Sequence, residues 1–201
     1  MIDYDTNILA VYNASTIEER DAGRRWYSEA NLYCSQLATA YALPLKVVVH
    51  VLAALSPGNE WNRNKRDASA LIDKVVTGSR RKFASATYPA NVAKATAILR
   101  SYLKGKTYKG KQWFEILSGP KVRAFELNIE YPSIARFNTI TVDLHAYSIA
   151  NGKRYTASTC PHFKNHADIS DAYRRVAYQV GLEPHQLQAI TWLTWKRLHA
   201  I

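Results

Sequence analysis

The sequence has few cysteines, few acidic residues and no long apolar run, and each shortage excludes a class of protein. Cys34 and Cys160 are its only cysteines, too few for a disulfide framework or a four-thiolate cluster and typical of a reducing compartment. No apolar run reaches the length of a membrane span. Asp3 and Asp5 stand where a secretion leader would be basic. We therefore expect a soluble, cytoplasmic monomer that needs no metal or other cofactor.

Basic residues greatly outnumber acidic ones. The chain has 27 Lys and Arg against 16 Asp and Glu, a formal charge of +11, which indicates a polyanionic partner. Seven of the basic residues lie between Arg100 and Arg123, where Glu115 is the only acidic residue. This clustering predicts that the partner is double-stranded DNA. A basic face kept only for solubility is the alternative.

Helical periodicity covers most of the chain, and no convincing strand pair is present. Ser15 and Glu18 form a capping-box signature before a long helix that ends near Ala42. Pro44 begins a second helix that is apolar on nearly every face, and a loop at 56–64 connects it to a third. Further helices are predicted at about 90–103, 111–117, 121–129, 144–150, 169–180 and 184–198. We expect an all-α fold forming a single domain over 1–201.

A tight turn is predicted between the helices at 111–117 and 121–129, because Gly119 can end one helix and Pro120 can begin the next. Free amides at such a turn, together with the positive end of the second helix, can hold a phosphate group. Neighbouring basic side chains add attraction. We therefore expect DNA contacts from Ser118, Gly119, Lys121 and Arg123. An ordinary connection between two helices would show the same spacing.

A second motif follows the turn, with the sequence Thr-Ile-Thr-Val-Asp-Leu-His-Ala-Tyr-Ser-Ile-Ala at 139–150. The turn followed by Val-Asp-x-His resembles the core of the helix-hairpin-helix (HhH-GPD) DNA glycosylase superfamily, which includes endonuclease III and the adenine and 8-oxoguanine glycosylases. Leu-Ser-Pro-Gly-Asn at 55–59, with Asn64 and Ala68, resembles the N-terminal helix-loop-helix of that family. The resemblance covers about 47–152. It implies a two-lobed, all-α glycosylase fold, with the helix-hairpin-helix at about 111–129 and the catalytic segment at about 139–150.

The resemblance implies that Asp143 is the catalytic carboxylate. A fixed carboxylate in a water-poor pocket stabilises the positive charge that builds on the sugar as the glycosidic bond breaks. The alternative is that Asp143 only caps the following helix. Lys121 falls where bifunctional members place an amine that attacks the sugar. Because the segment around Lys121 is strongly basic, we favour a phosphate contact instead.

The loop at 56–64 corresponds to the family's minor-groove loop. By the resemblance Asn59, Trp61 and Asn64 contact DNA, with Trp61 as the wedge that fills the gap left by a flipped base. Partial burial between helices is the alternative for Trp61. His145 either contacts DNA, supports Asp143 or makes a structural hydrogen bond.

The predicted function is that of a monofunctional DNA glycosylase, which flips out a modified base and hydrolyses its N-glycosidic bond to leave an abasic site. The compact form without an iron-sulfur cluster resembles phage-linked members of the superfamily. A bulky modified base of phage DNA, attacked in antiviral defence, is therefore the expected substrate. Trp192 and Trp195, in a C-terminal region that departs from the repair enzymes, either stack on a base or pack in the core. A non-catalytic helix-hairpin-helix module and a phage DNA base-modification enzyme stay open as alternatives.

Overall fold

The fold is all-α. A computed structural model describes residues 2–80, 82–133, 138–160 and 165–201, and in these ranges it contains helices but no strands, apart from one bridged pair, Tyr108 and Lys111. The helices of the described residues are α1 (Tyr4–Asn13), α2 (Ile17–Ala40), α3 (Leu45–Leu55), α4 (Trp61–Thr77), α5 (Pro89–Lys104), a 3-10 turn (Trp113–Glu115), α6 (Pro120–Glu130), α7 (Leu144–Ala150), α8 (His166–Gln179) and α9 (Pro184–His199).

The chain divides into two compact units. The terminal unit consists of Met1–Glu29 and Tyr131–Ile201, and the middle unit consists of Ala30–Glu130. Helix α2 begins in the terminal unit and ends in the middle unit. The predicted turn and the 55–59 segment therefore belong to the middle unit, whereas Asp143 belongs to the terminal unit.

The core of the terminal unit lies among α1, α7, α8 and α9. Ile8, Ile149 and Leu187 are fully buried there. Gly23 of α2 lies against Ile190 of α9, so closely that a Cβ atom at Gly23 would be 2.4 Å from Ile190 Cγ1 and 2.7 Å from Ile190 Cα. Only glycine fits at this contact.

A chain of buried polar side chains ties α2, α8 and α9 to the extended segment before α7. The Tyr27 hydroxyl lies 2.8 Å from Gln188 Oε1 and 3.0 Å from Thr141 Oγ1. Thr191 donates to the Gln188 carbonyl at 3.1 Å, and its Oγ1 is 3.3 Å from the Tyr173 hydroxyl. Because buried polar groups need partners, these bonds fix the direction in which the chain enters α7.

Helix α3 is the centre of the middle unit. Every residue from Val47 to Leu55 is buried, and α3 packs against α4, α5 and α6, as expected for a helix that is apolar on all faces. No single helix in the described ranges is both long and apolar enough to cross a membrane. Helices α2 and α3 reach that length and composition only as a pair bent by 119°.

The N-terminal region differs from the prediction at two points. Helix α1 was not predicted, and the capping box at the start of α2 is formed by Thr16 and Glu19 instead of Ser15 and Glu18. The Thr16 N–H donates to Glu19 Oε2 at 2.9 Å, and the Glu19 N–H donates to Thr16 Oγ1 at 3.2 Å. The Ser15 hydroxyl instead donates to the carbonyl of Tyr12.

The prediction of a helix at 111–117 was also wrong. The chain reverses at Lys109 and Gly110, which have φ angles of 49° and 76°, and only Trp113–Glu115 then form a 3-10 turn. The first helix of the predicted hairpin is therefore one short turn, while its second helix, α6, is present over Pro120–Glu130.

Candidate functional site

Lys121 joins two of the segments that the sequence singled out. It lies in the first turn of α6, and its Nζ donates to Ser56 Oγ at 3.3 Å and lies 5.4 Å from the centre of the Phe125 ring. Ser56 is the C-cap of α3. The middle unit therefore brings the 55–59 segment and the turn before α6 together.

Trp61 lies beside this contact. It is the first residue of α4, so the connecting loop is 56–60 and Trp61 is not on it, contrary to the prediction. Its ring centre is 6.5 Å from that of Phe125, and Lys65 Nζ lies 5.4 Å from the Trp61 ring. The Trp61 side chain is half-buried. We call the surface formed by Trp61, Lys65 and Lys121 the α4–α6 face.

The two asparagines of this region have structural contacts. Asn59 donates to Asp67 Oδ2 at 3.0 Å and to the Leu55 carbonyl at 3.3 Å. Asn64 is 1% exposed and donates to the Leu52 carbonyl at 3.2 Å. Because Asn64 is buried, its predicted DNA contact does not fit this structure. Both side chains hold the connection between α3 and α4.

The turn before α6 presents polar groups to solvent. Gly119 has a φ of 91°, which favours glycine, and its carbonyl accepts from the Arg123 N–H at 3.1 Å. As it has no side chain, Gly119 cannot cap the amides of the first turn of α6. Ser118 and Arg123 are exposed, and Lys94 Nζ donates to Ser118 Oγ at 3.2 Å. The turn therefore combines the N-terminus of α6 with cations.

The basic segment is a solvent-exposed surface of the middle unit. Six of its seven cations are exposed, and Lys121 is half-buried. In the part of the chain that the structure describes, none of these six forms an ion pair. Glu115 is engaged elsewhere, because its carboxylate accepts from the Gln112 N–H at 2.7 Å. The six are Arg100, Lys104, Lys106, Lys109, Lys111 and Arg123.

Asp143 is the N-cap of α7. Its Oδ1 accepts from the Ala146 N–H at 2.8 Å, and no hydrogen bond to Oδ2 occurs within residues 2–80, 82–133, 138–160 and 165–201. The side chain is half-buried, and Val142 and Ala146 on either side are buried. One carboxylate oxygen is therefore held by the backbone, and the other is available to a ligand.

Asp143 also influences the buried polar chain behind it. Burial raises the pKa of Tyr173 above its ordinary value, and the negative charge of Asp143 adds to the rise. The Tyr173 hydroxyl therefore stays protonated and can donate to Thr191. The same network that fixes the entry to α7 thus lies within electrostatic reach of the Asp143 carboxylate.

An aromatic patch adjoins this part of the terminal unit. The His145 ring lies 6.4 Å from the ring of Trp192, which is 6.1 Å from the ring of Trp26. Lys196 Nζ lies 4.6 Å from the Trp192 ring. Trp195, by contrast, is 6% exposed and belongs to the core. Sequence reasoning missed Trp26 and Lys196, although the four-residue spacing of Trp192 and Lys196 indicates a shared helix face.

Comparison with known proteins identifies the family but no activity. The chain belongs to the DUF7178 family. The model of this family, which is described as being of unknown function, matches residues 2–199. Neither a curated protein nor a solved structure is significantly similar to the chain. Across the described ranges, no three His, Cys, Asp or Glu side chains lie close enough together to hold a metal ion.

A cluster of buried titratable groups lies behind α6 in the middle unit. Burial raises the pKa of Glu126 to about 8, and the neighbouring carboxylate of Glu130 adds to the rise. Burial lowers the pKa of His50 to about 4. His50 Nδ1 and Glu126 Oε1 are 3.6 Å apart, so at neutral pH they meet as neutral groups and do not form an ion pair. The pair lies where α6 packs against α3.

Proposed function

We propose that the chain is a DNA glycosylase of the helix-hairpin-helix type that hydrolyses the N-glycosidic bond of a modified base. The observation that carries this proposal is the geometry of Asp143, whose carboxylate is fixed through one oxygen at the start of α7 and unbonded, among the described residues, at the other. A group held in this way needs no reorganisation when positive charge develops near it. The division into two units is compatible with a two-lobed glycosylase fold.

In this mechanism Asp143 acts on the deoxyribose. As the bond between C1′ and the base breaks, the sugar takes on oxocarbenium character, and the negative charge of Asp143 stabilises it. Water then supplies a hydroxyl group to C1′ and a proton to the departing base. The products are a free base and an abasic site. Buried Tyr173 and Thr191 do not act on the substrate in this mechanism. They are positioning residues, because their hydrogen bonds hold the chain segment before α7.

The middle unit supplies the DNA-binding surface. Lys121 and Lys65 of the α4–α6 face, together with exposed Arg123, are cations suited to phosphate oxygens. The N-terminus of α6, after Gly119, is a further place where a phosphate is favourable. The half-buried ring of Trp61 is the part of this face suited to stacking on a base. The short 3-10 turn before Gly119 means that this interface uses the turn and α6 without a full preceding helix.

The expected substrate is a base with a bulky modification, as in phage DNA. Trp192, with His145, Trp26 and Lys196 around it, forms an aromatic and cationic surface in the terminal unit that contains Asp143. Such a surface suits a large base carrying polar substituents better than it suits uracil. Release of glucosylated hydroxymethylcytosine or hypermodified thymine, compared with uracil and 8-oxoguanine under identical salt, measures this preference.

The test of catalysis is the Asp143→Asn variant. Asparagine keeps the size and the helix-capping ability of aspartate, so the variant should fold and bind DNA as the wild type does. Base release, followed by mass spectrometry across differently modified DNAs, should fall at least 100-fold. Asp168→Asn, at an exposed acidic residue in the first turn of α8, is the matched control and should retain activity. Equal activity of the wild type and Asp143→Asn would refute the proposal.

The competing proposal is a non-catalytic DNA-binding module. It is favoured by the same hydrogen bond from Ala146 to Asp143, which is the bond that any helix N-cap makes. Duplex binding by both proteins without release of any base would select this module. A base that is altered but still attached to DNA would select a modification enzyme instead.

A further inference from the structure

A basic cleft lies between α4 and α5 in the middle unit. Its volume is about 600 Å³, within the range of about 300–1,000 Å³ that is usual for small-molecule sites. The cleft is lined by the C-terminal half of α4, by α5 and by Ser79 and Phe83 of the segment between them. Neither the proposed catalytic residue nor the α4–α6 face contributes to it.

The body of the cleft is apolar. Leu71, Val75, Phe83 and Leu103 line it, and Leu103 is 46% exposed. The hydroxyl of Thr96, which also lines the cleft, donates to the Val92 carbonyl at 2.8 Å. An occupant would therefore place an apolar group against these side chains, where removal of apolar surface from water is favourable.

The polar part of the cleft carries positive charge alone. Lys74, Arg100 and Lys104 line it, and none of its lining residues that the structure describes is acidic. Arg100 and Lys104 form no ion pair with any residue that the structure describes. Arg80 and Lys82, which lie between Ser79 and Phe83, are also exposed.

Interaction with helix ends explains only part of this charge. Lys74 and Lys104 lie in the last turns of α4 and α5, where a cation is favourable in any protein. Arg100 lies before the last turn of α5 and has no such role. Its guanidinium offers paired donors that match two phosphate oxygens.

We propose that this cleft binds a small amphipathic phosphate, in which an apolar or aromatic body carries a phosphate group. Arg100 and Lys104 hold the phosphate, and Leu71, Val75 and Phe83 hold the body. The site does not depend on the proposed glycosylase activity. An aryl phosphate, an alkyl phosphate and a nucleoside monophosphate share the required chemistry and represent three sources of such a ligand.

The experiment is an NMR titration of the full-length protein, observing backbone amides. Phenyl phosphate, hexyl phosphate and thymidine monophosphate are compared with inorganic phosphate, which has the charge without the body. At least one organic phosphate should bind ten times more tightly than inorganic phosphate and shift amides of 74–79 and 96–104. The organic phosphate that binds most tightly identifies which of the three kinds of ligand the cleft takes. Equal or weaker binding of all three would overturn the proposal.

Variants assign the binding to the cleft. Arg100→Gln combined with Lys104→Gln removes two exposed cations and should weaken binding at least tenfold, while the loss of Lys104 from the end of α5 lowers the unfolding temperature only slightly. Val75→Ala shortens the apolar wall of the cleft. It should weaken the binding of the organic phosphate but not the binding of inorganic phosphate. Lys109→Gln, at an exposed cation outside the cleft, is the control. A similar loss in Lys109→Gln and in the double variant would show general charge attraction and would refute the site.

Discussion

At the level of single side chains, the role of Lys121 decides whether the proposed glycosylase is monofunctional or bifunctional. Its Nζ is held by Ser56 Oγ at 3.3 Å and lies over the Phe125 ring, contacts that suit a cation for phosphate. We expect borohydride to trap no covalent adduct with a cleavable DNA. Lys121→Gln should weaken binding to all sequences and reduce the salt slope by about 1. Trapping that disappears in Lys121→Gln would instead establish a Schiff base.

Glu126 should make stability depend on pH. Its pKa in the folded protein is about 8, against an ordinary value of 4.5, so its contribution is complete below pH 4.5 and is lost as pH rises through 8. The slope is at most about 1.4 kcal/mol per pH unit for one proton. His50, with its pKa lowered from 6.5 to about 4, contributes above pH 6.5 and loses that contribution as pH falls through 4.

Between pH 6.5 and 8 the change therefore comes from Glu126 and not from His50. The Glu126→Gln variant should lose the decline in unfolding temperature that the wild type shows across this window. Glu29→Gln, at an exposed carboxylate, should decline as the wild type does. If the unfolding temperature of Glu126→Gln declined with pH in parallel with that of the wild type, the raised pKa of Glu126 would be contradicted.

At the level of elements, the contact of α2 with α9 depends on Gly23. A methyl group at this position would meet the backbone of Ile190 at 2.7 Å, and backbone cannot move aside as a side chain can. Gly23→Ala should lower the free energy of unfolding by about 1–3 kcal/mol, despite the better helix propensity of alanine. Denaturant midpoints measure the effect. Ser28→Ala, at an exposed position on α2, should be neutral or slightly stabilising, and an equal loss there would contradict the explanation.

The helices that could be predicted well from the sequence are those whose signals lie within the helix itself. Helix α7 begins and ends where the pattern placed it, and α5 differs by one residue at each end, because periodicity and caps lie within the helix itself. Helix α1 was missed because its buried side chains have their partners in α7, α8 and α9. The 3-10 turn at Trp113–Glu115 replaced a predicted helix after the chain reversed at Lys109 and Gly110.

In the candidate site, too, features with a local sequence signal could be predicted, whereas contacts between distant residues could not. A capping role was the alternative that the sequence offered for Asp143, from its place at the start of a helical pattern, and the structure shows the capping bond. The contact between Lys121 and Ser56 joins residues 65 positions apart, and the contact between His145 and Trp192 is also distant in sequence. No local pattern encodes either contact. Burial of Asn64 likewise depends on how α4 packs on α3.

At the scale of the whole molecule, the charge of +11 predicts a steep salt dependence of DNA binding. If six cations of the basic segment and the α4–α6 face contact phosphates, affinity should fall about 1,000-fold between 50 and 200 mM salt. Fluorescence anisotropy with a labelled duplex measures the slope. Lys106→Gln combined with Lys111→Gln should reduce it by about 2. Affinity independent of salt would contradict a phosphate-based interface.

The order of the two units along the chain has a consequence for synthesis. The middle unit is complete once Glu130 has been translated, whereas the terminal unit needs both Met1–Glu29 and the segment from Tyr131 onward. At about 5–20 residues per second, the remaining 71 residues take roughly 4–14 s to make. During that interval the buried side chains of α1 lack their partners in α7, α8 and α9. Ile8 and Val11, which are buried in the finished core, are therefore apolar side chains that a ribosome-associated chaperone could bind during this interval.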